Sequence, residues 1–110
     1  MGGFVKGDVV VMPFPYSDLS ATKKRPALVV ASLDGDDVVL CQITSQSISD
    51  SYGVSLQATD FKEGGLKHSS NIRPNRLFTA DGRTVSYRAG RIKDVKVQEV
   101  IQKIIRIIAG

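Results

Sequence analysis

The chain has 110 residues, 42% of them hydrophobic, which holds one domain with a core that needs neither disulfides nor metal and excludes a disordered protein. No apolar run reaches the ~18 residues of a membrane span. The start MGGFVKGDVV lacks the layout of a signal peptide, Lys6 stands where a myristoylation signal needs Ser or Thr, and the single cysteine, Cys41, suits a reducing cytoplasm. Lys and Arg number 15 against 11 Asp and Glu, for a net charge of +4 that is unevenly spread: −3 over residues 1–60 and +7 over residues 61–110, a balance that favours an anionic partner such as nucleic acid.

Val9-Val10-Val11-Met12 opens after Gly7-Asp8 and predicts a first strand that stops at Pro13. Residues 14–25, with Pro15, Ser17, Asp18 and Ser20, have turn chemistry and predict a mobile loop too long for a tight hairpin. Ala27 to Ala31 is wholly apolar and predicts a strand buried on both faces. Leu33-Asp34-Gly35-Asp36 predicts a turn, with Val38 to Ile43 returning antiparallel. Residues 45–53 form a polar loop. Val54, Leu56 and Ala58 alternate as a fourth strand, and Thr59 or Asp60 is placed to cap one helical turn ending at Gly64-Gly65. Residues 69–80 and 84–92 predict further strands, joined as a hairpin through Asp81-Gly82.

One long helix is evident, with Asp94 as its N-cap and Gly110 as its end. Val97, Val100, Ile101, Ile104, Ile105 and Ile108 recur at helical spacing and, with Ile107, cover an arc of roughly 160°, which predicts core packing along the whole helix. Lys96, Glu99, Gln102, Lys103 and Arg106 fill the other side. The expected fold is α+β, mainly β: a small barrel-like sheet closed by one C-terminal helix, residues 1–110 forming a single domain.

Elimination narrows the chemistry. His68 and Cys41 are each unique, so no metal-ligand spacing exists, and no glycine-rich phosphate loop occurs; neither metal nor nucleotide cofactor is expected. Cys41 lies inside an apolar strand and reads as an inert core residue. A two-histidine RNA-cleaving site is excluded. Hydrolytic chemistry here must use Arg, Lys, Thr, Ser, Asp or Tyr.

Several ordered stretches resemble the MazF/PemK family of toxins. Gly7-Asp8-Val9-Val10 is similar to the family's opening strand and Pro13 to Lys24 to its variable first loop. Lys24-Arg25-Pro26-Ala27-Leu28-Val29-Val30 resembles its RPALVV strand, and Gln42-Ile43-Thr44-Ser45 its ITS element. Ser70-Asn71-Ile72-Arg73-Pro74 and Ala89-Gly90-Arg91-Ile92 are similar to its later strands. The resemblance implies an SH3-like barrel of the CcdB/MazF/PemK type, working as a cytoplasmic homodimer. It implies sequence-specific, metal-independent cleavage of single-stranded RNA through the 2′-hydroxyl, leaving 2′,3′-cyclic phosphate and 5′-hydroxyl ends, and a cognate antitoxin with an acidic, disordered segment. It also implies that Arg25 and Thr44 form the catalytic pair.

Physical reasoning supports the same two residues. A cleavage that uses the RNA's own 2′-hydroxyl gathers negative charge on the phosphoryl oxygens, which a rigid guanidinium fork can hold. Pro26 restricts the backbone of Arg25 to extended values. A hairpin centred on residues 34–36 pairs positions whose numbers add to about 70, and Arg25 with Thr44 adds to 69, which predicts neighbours on adjacent strands. Ser45, Gln46 and Ser47 are candidate hydrogen-bonding contacts to RNA; Lys23, Lys24, Arg73 and Arg76 are candidate backbone contacts, Arg73 first among them. Tyr16 is a candidate base-stacking residue, whereas Phe14 reads as core. A non-enzymatic CcdB-like toxin shares the barrel but binds through a C-terminal Trp-Gly-Ile, and this chain ends Ile108-Ala109-Gly110 without any Trp. An SH3-like binding module wants an aromatic groove, which 6% aromatics supply poorly.

Overall fold

A computed structural model of the protein describes residues 3–15 and 22–110. In it the strands β1 (Asp8–Pro15), β2 (Thr22–Ser32), β3 (Asp37–Thr44), β4 (Val54–Leu56), β5 (Phe61–Gly64), β6 (Ser70–Asp81) and β7 (Tyr87–Ile92) precede the helix α1 (Asp94–Ala109). The strands form one antiparallel sheet, ordered β4-β6-β3-β2-β1-β7-β5, that curls into a half-barrel.

Both faces of the central strands are covered, as the apolar run of β2 requires. Leu28 and Val30 join Val9, Ile43, Ile72 and Ile92 in one cluster under α1. Ala27 and Val29 join Val10, Met12 and Leu40 in a second cluster on the opposite face. Cys41 is fully buried in the first, and burial pushes its thiol up to about 12, so it stays an unreactive packing group at neutral pH. No helix among the described residues is long and apolar enough to cross a membrane.

Four sequence expectations are corrected. β1 does not stop at Pro13: Pro13 faces Lys24, Phe14 faces Lys23 and Pro15 faces Thr22, so both arms of the expected loop 14–24 are strand. The reason lies in β7, which pairs β1 only from Asp8 to Val11; beyond that point β1 is an edge, where a proline's missing N–H leaves no ladder bond unmade. Phe14 is half-buried and sets its ring edge-on against Phe78, centroids 5.2 Å apart. Next, the helical turn comes earlier than expected, as a 3-10 turn over Ala58–Asp60 in which the Asp60 carboxylate closes the turn by accepting the Gln57 N–H at 2.7 Å. Residues 61–64 are then free to pair as β5.

Asp81-Gly82 is not a hairpin. β6 pairs with β3 and β4, whereas β7 pairs with β1 and β5. The Asp81 carboxylate accepts the Arg83 N–H at 2.8 Å, which bends the chain into the 3-10 turn Gly82–Thr84, and Ser86 N–H then donates to Val11 O at 2.8 Å on the far side of the sheet. Finally, α1 starts one residue earlier than expected, with Lys93 as N-cap and Asp94 in its first turn. Only its first half is core: Val97 and Val100 are buried, while Ile105 and Ile108 are 49% and 71% exposed. Ile101 and Ile104 still pack partly buried against the core, so the periodicity continues past the surface that gave rise to it only at Ile105 and Ile108. At the other end Gly110 N–H caps Arg106 O, as expected.

Candidate functional site

The ladder between β2 and β3 fixes the first wall of the site. Ala27 pairs Gln42, Leu28 pairs Cys41 and Val29 pairs Leu40, each adding to 69; a bulge between Val29 and Ala31 shifts the register to 70 nearer the turn. Arg25 lies two residues beyond Ala27 on β2 and Thr44 two residues beyond Gln42 on β3, at the end where this ladder stops. Both side chains are half-buried and line a cleft of about 730 Å³. Lys23 and Lys24 extend this wall along β2, and Ser45 and Gln46 extend it beyond β3. Gln46 N–H donates to the Thr44 hydroxyl at 3.1 Å, which ties the loop to the strand end.

The opposite wall is built by β5 and β7. Gly64 faces Gly90 across their ladder, and the two backbones touch: a Cβ on Gly90 would stand 2.5 Å from Glu63 O, and one on Gly64 would stand 2.2 Å from Ala89 O. Gly64 also has φ +69°, a left-handed value that favours glycine. Past this contact Gly65 N–H donates to Ala89 O at 3.2 Å. The chain is thereby delivered along the cleft, and Leu66, Lys67 and His68 line it together with Tyr87 and Arg88 from β7.

Arg88 is held from two directions. Its guanidinium is bonded to Glu63, whose carboxyl is drawn below its usual value mainly by that hydrogen bond, and it stands 3.8 Å from the buried carboxylate of Asp8. Asp8 in turn accepts Arg91 Nε at 2.9 Å and Val5 N–H at 2.9 Å, so the buried charge is paired and hydrogen-bonded. The pair with Arg88 persists as pH falls until Glu63 protonates, and its depressed value moves that loss to lower pH.

The remaining sequence candidates lie elsewhere. Arg73 on β6 is not among the cleft-lining residues; its guanidinium bonds Asp50 at 2.7 Å, and with Asn71 Nδ2 donating to Gln46 O at 3.4 Å it fastens the loop 45–53 to β6. Arg76 lines a different, more apolar pocket beside Phe14 and Phe78. Ser47 is exposed outside the cleft, and Tyr16 lies outside the described residues. Sequence reasoning missed Lys67, His68, Tyr87 and Arg88. The glycine pair at 64–65 and the glycine at 90 were the available signal, since glycine inside a strand marks a close backbone approach. Among the described residues no three His, Cys, Asp or Glu side chains gather as metal ligands.

The cleft is lined by five cations, Lys23, Lys24, Arg25, Lys67 and Arg88. Its chemistry suits an extended polyanion.

Comparison with solved structures finds the same fold. A Mycobacterial endoribonuclease in complex with its cognate antitoxin is 13% identical, with a TM-score of 0.77 over 97% of this chain and 96% of that one. MazE-MazF (Form-III) from Deinococcus radiodurans is 18% identical, with a TM-score of 0.77 over 96% and 95% of the two chains. The Mycobacterium tuberculosis toxin MazF-mt6 is 13% identical, with a TM-score of 0.68 over 91% and 96%. No curated protein matches the sequence. A family profile described as "PemK-like, MazF-like toxin of type II toxin-antitoxin system" matches residues 5–108. With that match spanning nearly the whole chain, and a half-barrel of MazF shape carrying a cationic cleft, the chain belongs to the PemK-like, MazF-like toxins of type II toxin–antitoxin systems.

Proposed function

We propose that the protein is a sequence-specific endoribonuclease toxin that cleaves single-stranded RNA without metal, through the 2′-hydroxyl, leaving a 2′,3′-cyclic phosphate and a 5′-hydroxyl. The observation that carries this reading is that Arg25 and Thr44, each two residues beyond the last paired positions Ala27 and Gln42 of β2 and β3, line one cationic cleft. Arg25 supplies charge to the phosphoryl oxygens as they become more negative, and Thr44 positions the phosphate by hydrogen bond. Lys23, Lys24, Ser45 and Gln46 would contact RNA on this wall, and Lys67 and Arg88 on the other. Arg73 enters as the anchor that holds the loop 45–53 in place, Ser47 as part of that loop, Arg76 as a contact for RNA running past the cleft, and Tyr16 as a residue that stacks on a base. The single His and single Cys of the chain are what support metal independence.

The protein acts in this reading as a cytoplasmic homodimer, for which the exposed Ile105 and Ile108 of α1 offer apolar surface to a second copy. A cognate antitoxin silences it by laying an acidic, initially disordered segment along the same cations and excluding RNA. The mycobacterial structure with its cognate antitoxin and the MazE–MazF structure support a partner of this kind.

The test is incubation of the pure protein with a long defined RNA in excess EDTA. Cleavage at a few sites with cyclic-phosphate ends is expected. Activity lost to chelator and restored by a divalent ion would overturn metal independence, and intact RNA under all conditions would overturn the activity.

A further inference from the structure

Attack of O2′ on phosphorus needs a base to take the hydroxyl proton. Arg25 and Thr44 do not supply it: a guanidinium stays protonated across the working pH range, and a threonine hydroxyl is not basic there. Among the described residues that line the cleft, none is a carboxylate. Its ionisable side chains are Lys23, Lys24 and Arg25 from β2, Tyr87 and Arg88 from β7, and Lys67 and His68 from the segment between β5 and β6. Lysine and arginine have no lone pair to offer while charged, and a tyrosine keeps its proton until well above neutrality. Imidazole alone carries a neutral nitrogen acceptor between pH 5 and 8.

We propose that His68 is the general base of the RNA cleavage; this rests on the activity proposed above. Among the described residues, Glu63 is engaged with Arg88, Asp50 with Arg73, and Asp8, buried, with Arg91. The backbone at His68 is pinned on both sides. Ser70 Oγ donates to His68 O at 2.9 Å, Ser69 Oγ donates to Gln57 Oε1 at 2.8 Å, and the Gly65 N–H to Ala89 O bond fixes the start of the segment. The side chain itself is exposed on the cleft, free to meet a substrate hydroxyl.

The step balances as follows. The 2′-hydroxyl proton passes to His68, the O2′–P bond forms and the P–O5′ bond breaks. The departing O5′ takes a proton from water, and the hydroxide left behind takes the proton from the imidazolium. Substrate and products then differ by no net proton, and His68 returns to its neutral form.

Cleavage rates of wild type and His68→Gln, followed from pH 5 to 9 on one defined RNA in EDTA, test this. His68→Gln should lose about 10²-fold or more in rate and lose the acidic limb of the pH profile. It should bind an all-2′-deoxy analogue within about threefold of wild type, because glutamine keeps a polar contact. In His68→Ala, added imidazole should restore part of the rate, which a structural role would not allow. A His68→Gln variant within threefold of wild type, or with the acidic limb intact, overturns the proposal. So does a limb that disappears in Asp18→Asn and survives in His68→Gln, which would move the base to the segment before β2. A wild type without any cleavage overturns the activity itself and this role with it, whereas cleavage insensitive to His68 overturns this role alone.

Discussion

Arg25 and Thr44 stand on strands joined by the short turn 33–36, so one hairpin register decides whether they meet. Lys67, His68 and Arg88 stand on segments some twenty residues apart in the chain, brought together because β7 leaves β6, crosses to the other side of β1 and accepts β5 at its outer edge. The first wall is therefore held by local ladder bonds over a two-sided core. The second is held by a backbone contact between Gly64 and Gly90 that tolerates no side chain. In the function proposed above, a site whose halves have such different origins divides its tasks: charge stabilisation on the central wall, and proton transfer and RNA tracking on the peripheral one.

The largest expected effect belongs to the central wall. Arg25→Ala should reduce cleavage by about 10²–10⁴-fold with the fold intact, since one partner of the developing charge is removed. Thr44→Ala should cost about 10- to 100-fold, the loss of a positioning hydroxyl of ~1–3 kcal/mol. Rates of both variants within threefold of wild type would show that the β2–β3 wall is not where the phosphate reacts.

The peripheral wall should break through the backbone. Gly90→Ala places a methyl against Glu63 O, with Gly65 N next at 3.0 Å, both backbone atoms. A loss of about 1–3 kcal/mol in urea unfolding is expected. A Cβ on Gly65 meets nothing within 4 Å, so Gly65→Ala should stay within about 0.5 kcal/mol. Equal midpoints for the two variants would mean that the Gly64–Gly90 contact does not hold the wall.

The smallest effect compares cations. Lys23→Ala and Lys67→Ala, one on each wall, should each lower the salt slope of single-stranded RNA binding by about 0.7, one phosphate contact apiece. Arg73→Ala should leave the slope unchanged, since Asp50 already neutralises that guanidinium. A slope that drops for Arg73 and not for Lys67 would move the RNA track off the peripheral wall and onto β6.

This division also explains what could be read from the sequence. The strand cores, the 33–36 turn and the β2–β3 register follow from short-range rules, because hairpin register depends on a few adjacent residues. The polar loop 45–53 and the helix were legible for the same reason. Asp81-Gly82 has the residues of a hairpin turn, but a turn does not say which strand receives the chain next; Ser86 reaching Val11 decides that, and no local signal encodes it. Lys67, His68 and Arg88 were missed with it, since their meeting depends on that crossover. Arg73 was legible as a charge, but its Asp50 partner 23 residues away was not.

The helix α1 has its packing at one end. Isoleucine loses rotamer freedom in a helix, so a helix this rich in it is held by burial more than by its own propensity. Val97 and Val100 have that burial; Ile105 and Ile108 have little of it. Amides of the first turns therefore open to solvent only when the whole domain unfolds, while those of the last turn open by local fraying. Deuterium uptake should run as a gradient along a single helix, and a second copy of the chain laid over Ile105 and Ile108 would flatten it.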